Sequence, residues 1–92
     1  MSEINTFGLR PHEARLNITW QGQNGDLPDP VPYDATAAEL KAWAREALRA
    51  GYVPGIDADP QAELGDFVVD RFPANDARPW KTVMIRPKTP FG

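Results

Sequence analysis

No cysteine occurs among the 92 residues. Disulfide frameworks, thiolate zinc sites and cysteine nucleophiles are therefore excluded. A single histidine leaves Ser/His/Asp chemistry one possible base and no redundancy. Positive charge is also in short supply. Ten Lys and Arg stand against thirteen Asp and Glu, a net charge of −3, which gives no electrostatic footprint for nucleic acid. No apolar run approaches the roughly 18 residues of a membrane span. The opening Met1-Ser2-Glu3-Ile4-Asn5 lacks the basic and apolar regions of a signal peptide, so the expected compartment is the cytoplasm. The length suits one small domain, in which roughly two thirds of the chain's surface can be buried.

Proline, by contrast, is abundant, with ten residues. That many argue for punctuated strands and loops and against a helical bundle. Residues 1–13 carry no periodicity and read as a flexible arm, on which Phe7 and Leu9 could still dock. Arg15 to Trp20 alternates strictly, with Leu16, Ile18 and Trp20 on one face of a half-buried strand. Gln21 to Asp26 reads as a turn, with Asn24-Gly25 as its hairpin signal. Three prolines between Leu27 and Asp34 confine any strand there, such as Val31–Tyr33, to a sheet edge.

The helix is the clearest element. Thr36-Ala37-Ala38-Glu39 forms a capping box. Leu40, Trp43, Ala44, Ala47 and Leu48 follow at i, i+3, i+4, i+7 and i+8 as one apolar stripe, and Gly51 supplies the left-handed stop. Residues 57–65 read as an acidic, solvated loop. Asp57, Asp59, Glu63 and Asp66 lack the glycine and ligand order of a calcium loop. Asp66 to Phe72 reads as a strand, and Trp80 to Arg86 as a final strand ended by Pro87. Hairpin, helix, strand and strand, with one helix covering a sheet of about four strands, define an α+β two-layer domain.

From Arg15 to Gly92 the chain resembles the ubiquitin-like β-grasp proteins of bacteria. The resemblance is carried by the order of elements, by the Gly51-Tyr52-Val53-Pro54-Gly55-Ile56 loop, and by a last strand that runs into a tail ending in glycine. It implies a mixed sheet of four to five strands with one packed helix at about residues 37–50. It implies a folded domain over residues 14–87 and an extended tail over 88–92. It also places Val83 and Ile85 inward. By the same resemblance the protein has no catalytic activity or cofactor of its own. An activating enzyme would adenylate Gly92 with ATP, and a JAB-type metalloprotease would trim or release the tail. Pro87 and Pro90 keep the tail extended. Members of the family end in Gly-Gly. Here Phe91 precedes Gly92, so an activating enzyme would have to accept an aromatic in the penultimate position.

A second candidate is the sheet face turned away from the helix. Arg15, Asn17, Thr19, Thr82, Met84 and Arg86 are expected there, with Arg71 beside them. Met and Arg are favoured at interfaces, although a solvated face is the plain alternative. Trp80 shares parity with Met84 and either extends that patch or caps the core edge. His12 and Glu13 fall in the expected arm without a nucleophile, and an exposed histidine is the reading. Two functions follow: a modifier or carrier acting through Gly92, Phe91 and Pro90, or a non-covalent interaction module using the open face. An accessory subunit of an oxygenase complex is a third possibility.

Overall fold

Two consecutive residues with left-handed backbone, Gln21 (φ 49°) and Gly22 (φ 80°), fold the first strand back on itself. Positive φ at both central positions matches the twist of the flanking strands and makes the tightest hairpin. Strand β1 (Glu13–Trp20) thereby pairs antiparallel with β2 (Gln23–Asp26), Trp20 opposite Gln23. The turn lies earlier than expected. Asn24 and Gly25 are not turn residues but sit within β2, because Gln21-Gly22 closes the hairpin before them. This computed structural model describes residues 9–88. The expected tail positions Thr89, Pro90, Phe91 and Gly92, and the first eight residues of the expected arm, lie outside the described residues.

A short strand β3 (Val31–Pro32) pairs with the start of β1, followed by helix α1 (Ala37–Ala50), edge strand β4 (Val68–Phe72) and β5 (Lys81–Arg86). The sheet order is β2-β1-β5-β4, with β3 beside β1. Central β1 and β5 run parallel, and the remaining pairs are antiparallel. Pro32 is tolerated because β3 lies at an edge. The result is an α+β domain with a mixed five-stranded sheet and one helix, a β-grasp-like arrangement.

The folded body starts earlier than residue 14. Leu9 is buried, and β1 begins at Glu13. The Tyr33 N–H donates to the His12 carbonyl, and Lys81 Nζ donates to the Pro11 carbonyl at 2.6 Å. Leu9 and the pairing with β3 anchor this segment, while Arg10, Pro11 and His12 stay exposed, His12 as expected. The alternation that marks β1 is masked there by Pro11 and the polar residues beside it.

The helix forms as its caps dictate. The Glu39 N–H donates to Thr36 Oγ1 and the Thr36 N–H to Glu39 Oε1, both at 3.1 Å. Gly51, at φ 77°, ends it in a Schellman turn, with the Tyr52 N–H donating to the Ala47 carbonyl and the Gly51 N–H to the Leu48 carbonyl. Leu40, Ala44, Ala47 and Leu48 are buried, but Trp43 is 39 % exposed. It sits at the margin of the stripe, where the sheet no longer covers it.

The core lies between α1 and the inward row of β1 and β5. Leu16, Ile18, Val83, Ile85, Leu40 and Leu48 are all at most 1 % exposed. Each contributes roughly 1.5–3 kcal/mol by burial. Trp20 packs at the core edge, with its ring 5.6 Å from that of Phe67 and its Nε1–H donating to Asp59 Oδ2. The loop over 57–65 keeps Asp57 and Glu63 exposed, as expected, but it is anchored to the body. Ala62 and Leu64 are buried, Asp59 is taken by Trp20, Asp57 by Gln23, and Glu63 by Arg49.

The loop from Gly51 to Ile56 is pressed onto the hairpin. A Cβ on Gly25 would fall 2.2 Å from the Pro54 carbonyl oxygen. Gly25→Ala is therefore expected to cost about 2 kcal/mol or more, the range of overpacking penalties. Gly22→Ala meets no atom within 4 Å and costs only its backbone strain, about 1 kcal/mol. Urea denaturation of the two variants checks the difference. Equal losses would mean that the close approach is not a constraint.

Candidate functional site

Strand register decides which side chains share the face away from the helix. Leu16 stands beside Val83 and Ile18 beside Ile85, so Arg15 beside Thr82 and Asn17 beside Met84 point the other way. Asn24 and Asp26 of β2 join them opposite Thr19 and Asn17. From β4, Asp70 lies opposite Met84 and Phe72 opposite Thr82. Arg15, Thr82, Met84 and Arg86 are thus brought to one face, as expected.

Arg71 is not part of it. Its register partner is Val83, an inward residue. From the edge of the helix side its guanidinium reaches across the end of the core, donating to the carbonyls of Tyr33 and Ala35. The parity of β4 could not be read from its sequence, because both of its faces carry apolar residues.

The open face holds a concavity of about 340 Å³, lined by Arg15, Asn17, Asn24, Asp26, Arg78, Trp80, Thr82 and Met84. One wall is an amide network. Asn17 Nδ2 donates to Asn24 Oδ1 and to Asp26 Oδ1, while Asn24 Nδ2 donates to Asn17 Oδ1 and Thr19 Oγ1. The opposite wall is Trp80 and Arg78. The Arg78 guanidinium lies 5.5 Å from the centre of the Phe72 ring, within cation–π range. Its backbone is pinned in a reciprocal turn: the Arg78 N–H donates to Asn75 Oδ1, and the Asn75 N–H donates to the Arg78 carbonyl.

Thr82 departs from the expectation of a solvated position. It is 6 % exposed, with Phe72 of β4 standing opposite it. Its Oγ1 and the Nε of Arg78 are both buried without a hydrogen-bond partner among the described residues. Beyond the concavity, Arg86 Nε donates to Asp70 Oδ2 at 2.6 Å. That pair is solvent-accessible and worth at most about 1 kcal/mol, so it orders the rim and does not hold the sheet together.

Arg78, Phe72 and Asp26 were not singled out by sequence. A turn assigned to Gln21-Gly22 would have placed Asn24 and Asp26 beside Asn17. Nothing in the 73–80 loop signals that Arg78 folds back over Phe72. Among the described residues, no group of three His, Cys, Asp or Glu could hold a metal ion, and no helix is long and apolar enough to cross a membrane. No family model, curated protein or solved structure matches the chain.

A buried hydroxyl without a partner costs about 1–3 kcal/mol, and its replacement by an apolar group of similar shape removes that cost. Thr82→Val is therefore expected to keep the stability of the parent or raise it by about 1 kcal/mol, measured by thermal and urea unfolding. A clear loss of stability would show that the hydroxyl is satisfied in solution by a group within the chain.

Proposed function

We propose that the chain is a ubiquitin-like protein modifier or carrier that presents Gly92 to an activating enzyme. The observation that carries this reading is the placement of β5. The strand is central, held by β1 on one side and β4 on the other, and ends at Arg86 immediately before Pro87. A segment leaving such a strand starts from a rigid anchor. Pro87 and Pro90 favour an extended path, which lowers the entropy lost when the tail is held in an enzyme channel.

In this reading the domain docks and the tail reacts. A Gly92 carboxylate oxygen attacks the α-phosphorus of ATP and displaces pyrophosphate. A thiolate of the activating enzyme then displaces AMP to form a thioester, which passes to an amine or to sulfide. Glycine has no side chain to obstruct either attack. Phe91 requires a channel with room for one aromatic ring. A JAB-type metalloprotease would reverse or trim the conjugate.

A non-covalent interaction module is the second reading, and the concavity on the open face favours it. The two separate in one experiment. The protein, a cognate activating enzyme and ATP are mixed, and intact-mass spectrometry is used to look for an adenylate or an enzyme thioester. The modifier predicts a thioester that disappears when Phe91 and Gly92 are deleted. Biological function unchanged by that deletion would sink it.

A further inference from the structure

Asn24-Gly25 is the one Asn-Gly pair in the chain. Such a pair is chemically unstable when its backbone is free. Glycine leaves the attacking nitrogen unobstructed and lets the chain turn into the reactive conformation. The Gly25 amide nitrogen attacks the side-chain carbonyl carbon of Asn24. Solvent base takes the N–H proton, the new N–Cγ bond forms, and the Cγ–Nδ2 bond breaks. The departing nitrogen takes a proton from solvent and leaves as ammonia. Water then opens the resulting succinimide at either carbonyl. One product is aspartate, and the other is isoaspartate, in which the main chain runs through the former side chain.

The hairpin withholds each requirement of that attack. The Asn24 carboxamide is held at both ends: its Oδ1 accepts from Asn17 Nδ2 at 3.0 Å. Its Nδ2 donates to Asn17 Oδ1 at 2.8 Å and to Thr19 Oγ1 at 3.0 Å. The nucleophile is held as well. The Leu27 N–H donates to the Leu16 carbonyl at 2.8 Å, and hydrogen-bonded pairs alternate along an antiparallel ladder. Gly25 opposite Ile18 is the next such pair, so the Ile18 carbonyl holds the Gly25 N–H. Ring closure also requires Asn24 to rotate out of the extended strand conformation. The 51–56 loop opposes that rotation. Gly25 lies under the Pro54 carbonyl, and a Cβ on Gly55 would lie 3.0 Å from the Asn24 carbonyl oxygen. Beside them, the Gln23 side chain donates to Asp57 Oδ2 and accepts from the Asp57 N–H.

We infer that Asn24-Gly25 is a latent deamidation site, closed by the β1–β2 hairpin and released when that hairpin opens. Strand β2 is four residues long and lies at the end of the sheet order, where local opening costs least. The reaction is one-way and alters the candidate site. Asn24 and Asp26 both line the concavity, so the product sets a second carboxylate beside the first. Asn17 Oδ1 loses its donor. Isoaspartate adds a methylene to the main chain of β2 and moves Gly25 from beneath the Pro54 carbonyl.

The test is a time course in mildly alkaline buffer, read by intact mass and peptide mapping. It compares the full folded chain, the same chain in urea and a capped synthetic peptide covering residues 17–30. The peptide and the unfolded chain are expected to deamidate at Asn24, and the folded chain roughly tenfold more slowly or less. Gly22→Ala strains the turn without touching Asn24 and is expected to speed the folded-state reaction about fivefold. The deamidated chain, separated by anion exchange, is expected to unfold at lower urea than the parent. Equal rates in the folded chain and the peptide would overturn the proposal. So would an unreactive unfolded chain, a mass gain mapping to another asparagine, a Gly22→Ala rate equal to the parent's, or an unchanged urea midpoint of the product.

Discussion

The parallel pairing of β1 with β5 is the constraint from which the rest follows. Ala14 to Ile18 run alongside Lys81 to Ile85 in register. Parallel neighbours cannot be joined by a tight turn and need a long crossover. Here the intervening chain supplies the hairpin partner, the helix and the edge strand. The helix must then lie against one face, which turns Leu16, Ile18, Val83 and Ile85 into a core. The other face is left to Asn17, Thr82 and Met84. The candidate site is in this sense the reverse side of the core.

Polar groups are distributed according to what that division leaves over. Lys81 and Arg71 occupy inward positions at one end of the sheet. Their charged heads leave the core and meet backbone carbonyls of Pro11, Tyr33 and Ala35, and the Lys81 ammonium lies 5.2 Å from the Tyr33 ring centre. Long cationic side chains can do this because their stems are apolar. On the opposite face the arginines have a different fate. Arg86 is engaged by Asp70 at the rim, whereas the Arg78 guanidinium lies over the Phe72 ring, its Nε buried and without a hydrogen-bond partner among the described residues.

What was legible in the sequence was whatever is decided locally. Thr36, Glu39 and Gly51 specify the helix ends through their own backbone neighbours, and the alternation of Leu16 and Ile18 specifies a face. Positions decided by distant packing were not legible. Asn24-Gly25 is a strong turn dipeptide, yet Gly25 is needed under the Pro54 carbonyl, a contact across 29 positions by subtraction of the residue numbers. Arg71 and Thr82 look alike as polar strand residues. Their opposite sides follow only from the register of β4 against β5. Trp43 fits the helical stripe, but its exposure depends on how far the sheet extends beneath it.

The arrangement of β1 and β5 also has a mechanical consequence. The strands are parallel, so Glu13 at the start of β1 and Arg86 at the end of β5 lie at opposite ends of the paired ribbon. Tension applied between those two points slides one strand along the other. The backbone hydrogen bonds between them then share the load together and do not open one after another. A protein tethered through its carboxyl end and pulled from its amino end would meet its firmest resistance in this one pair.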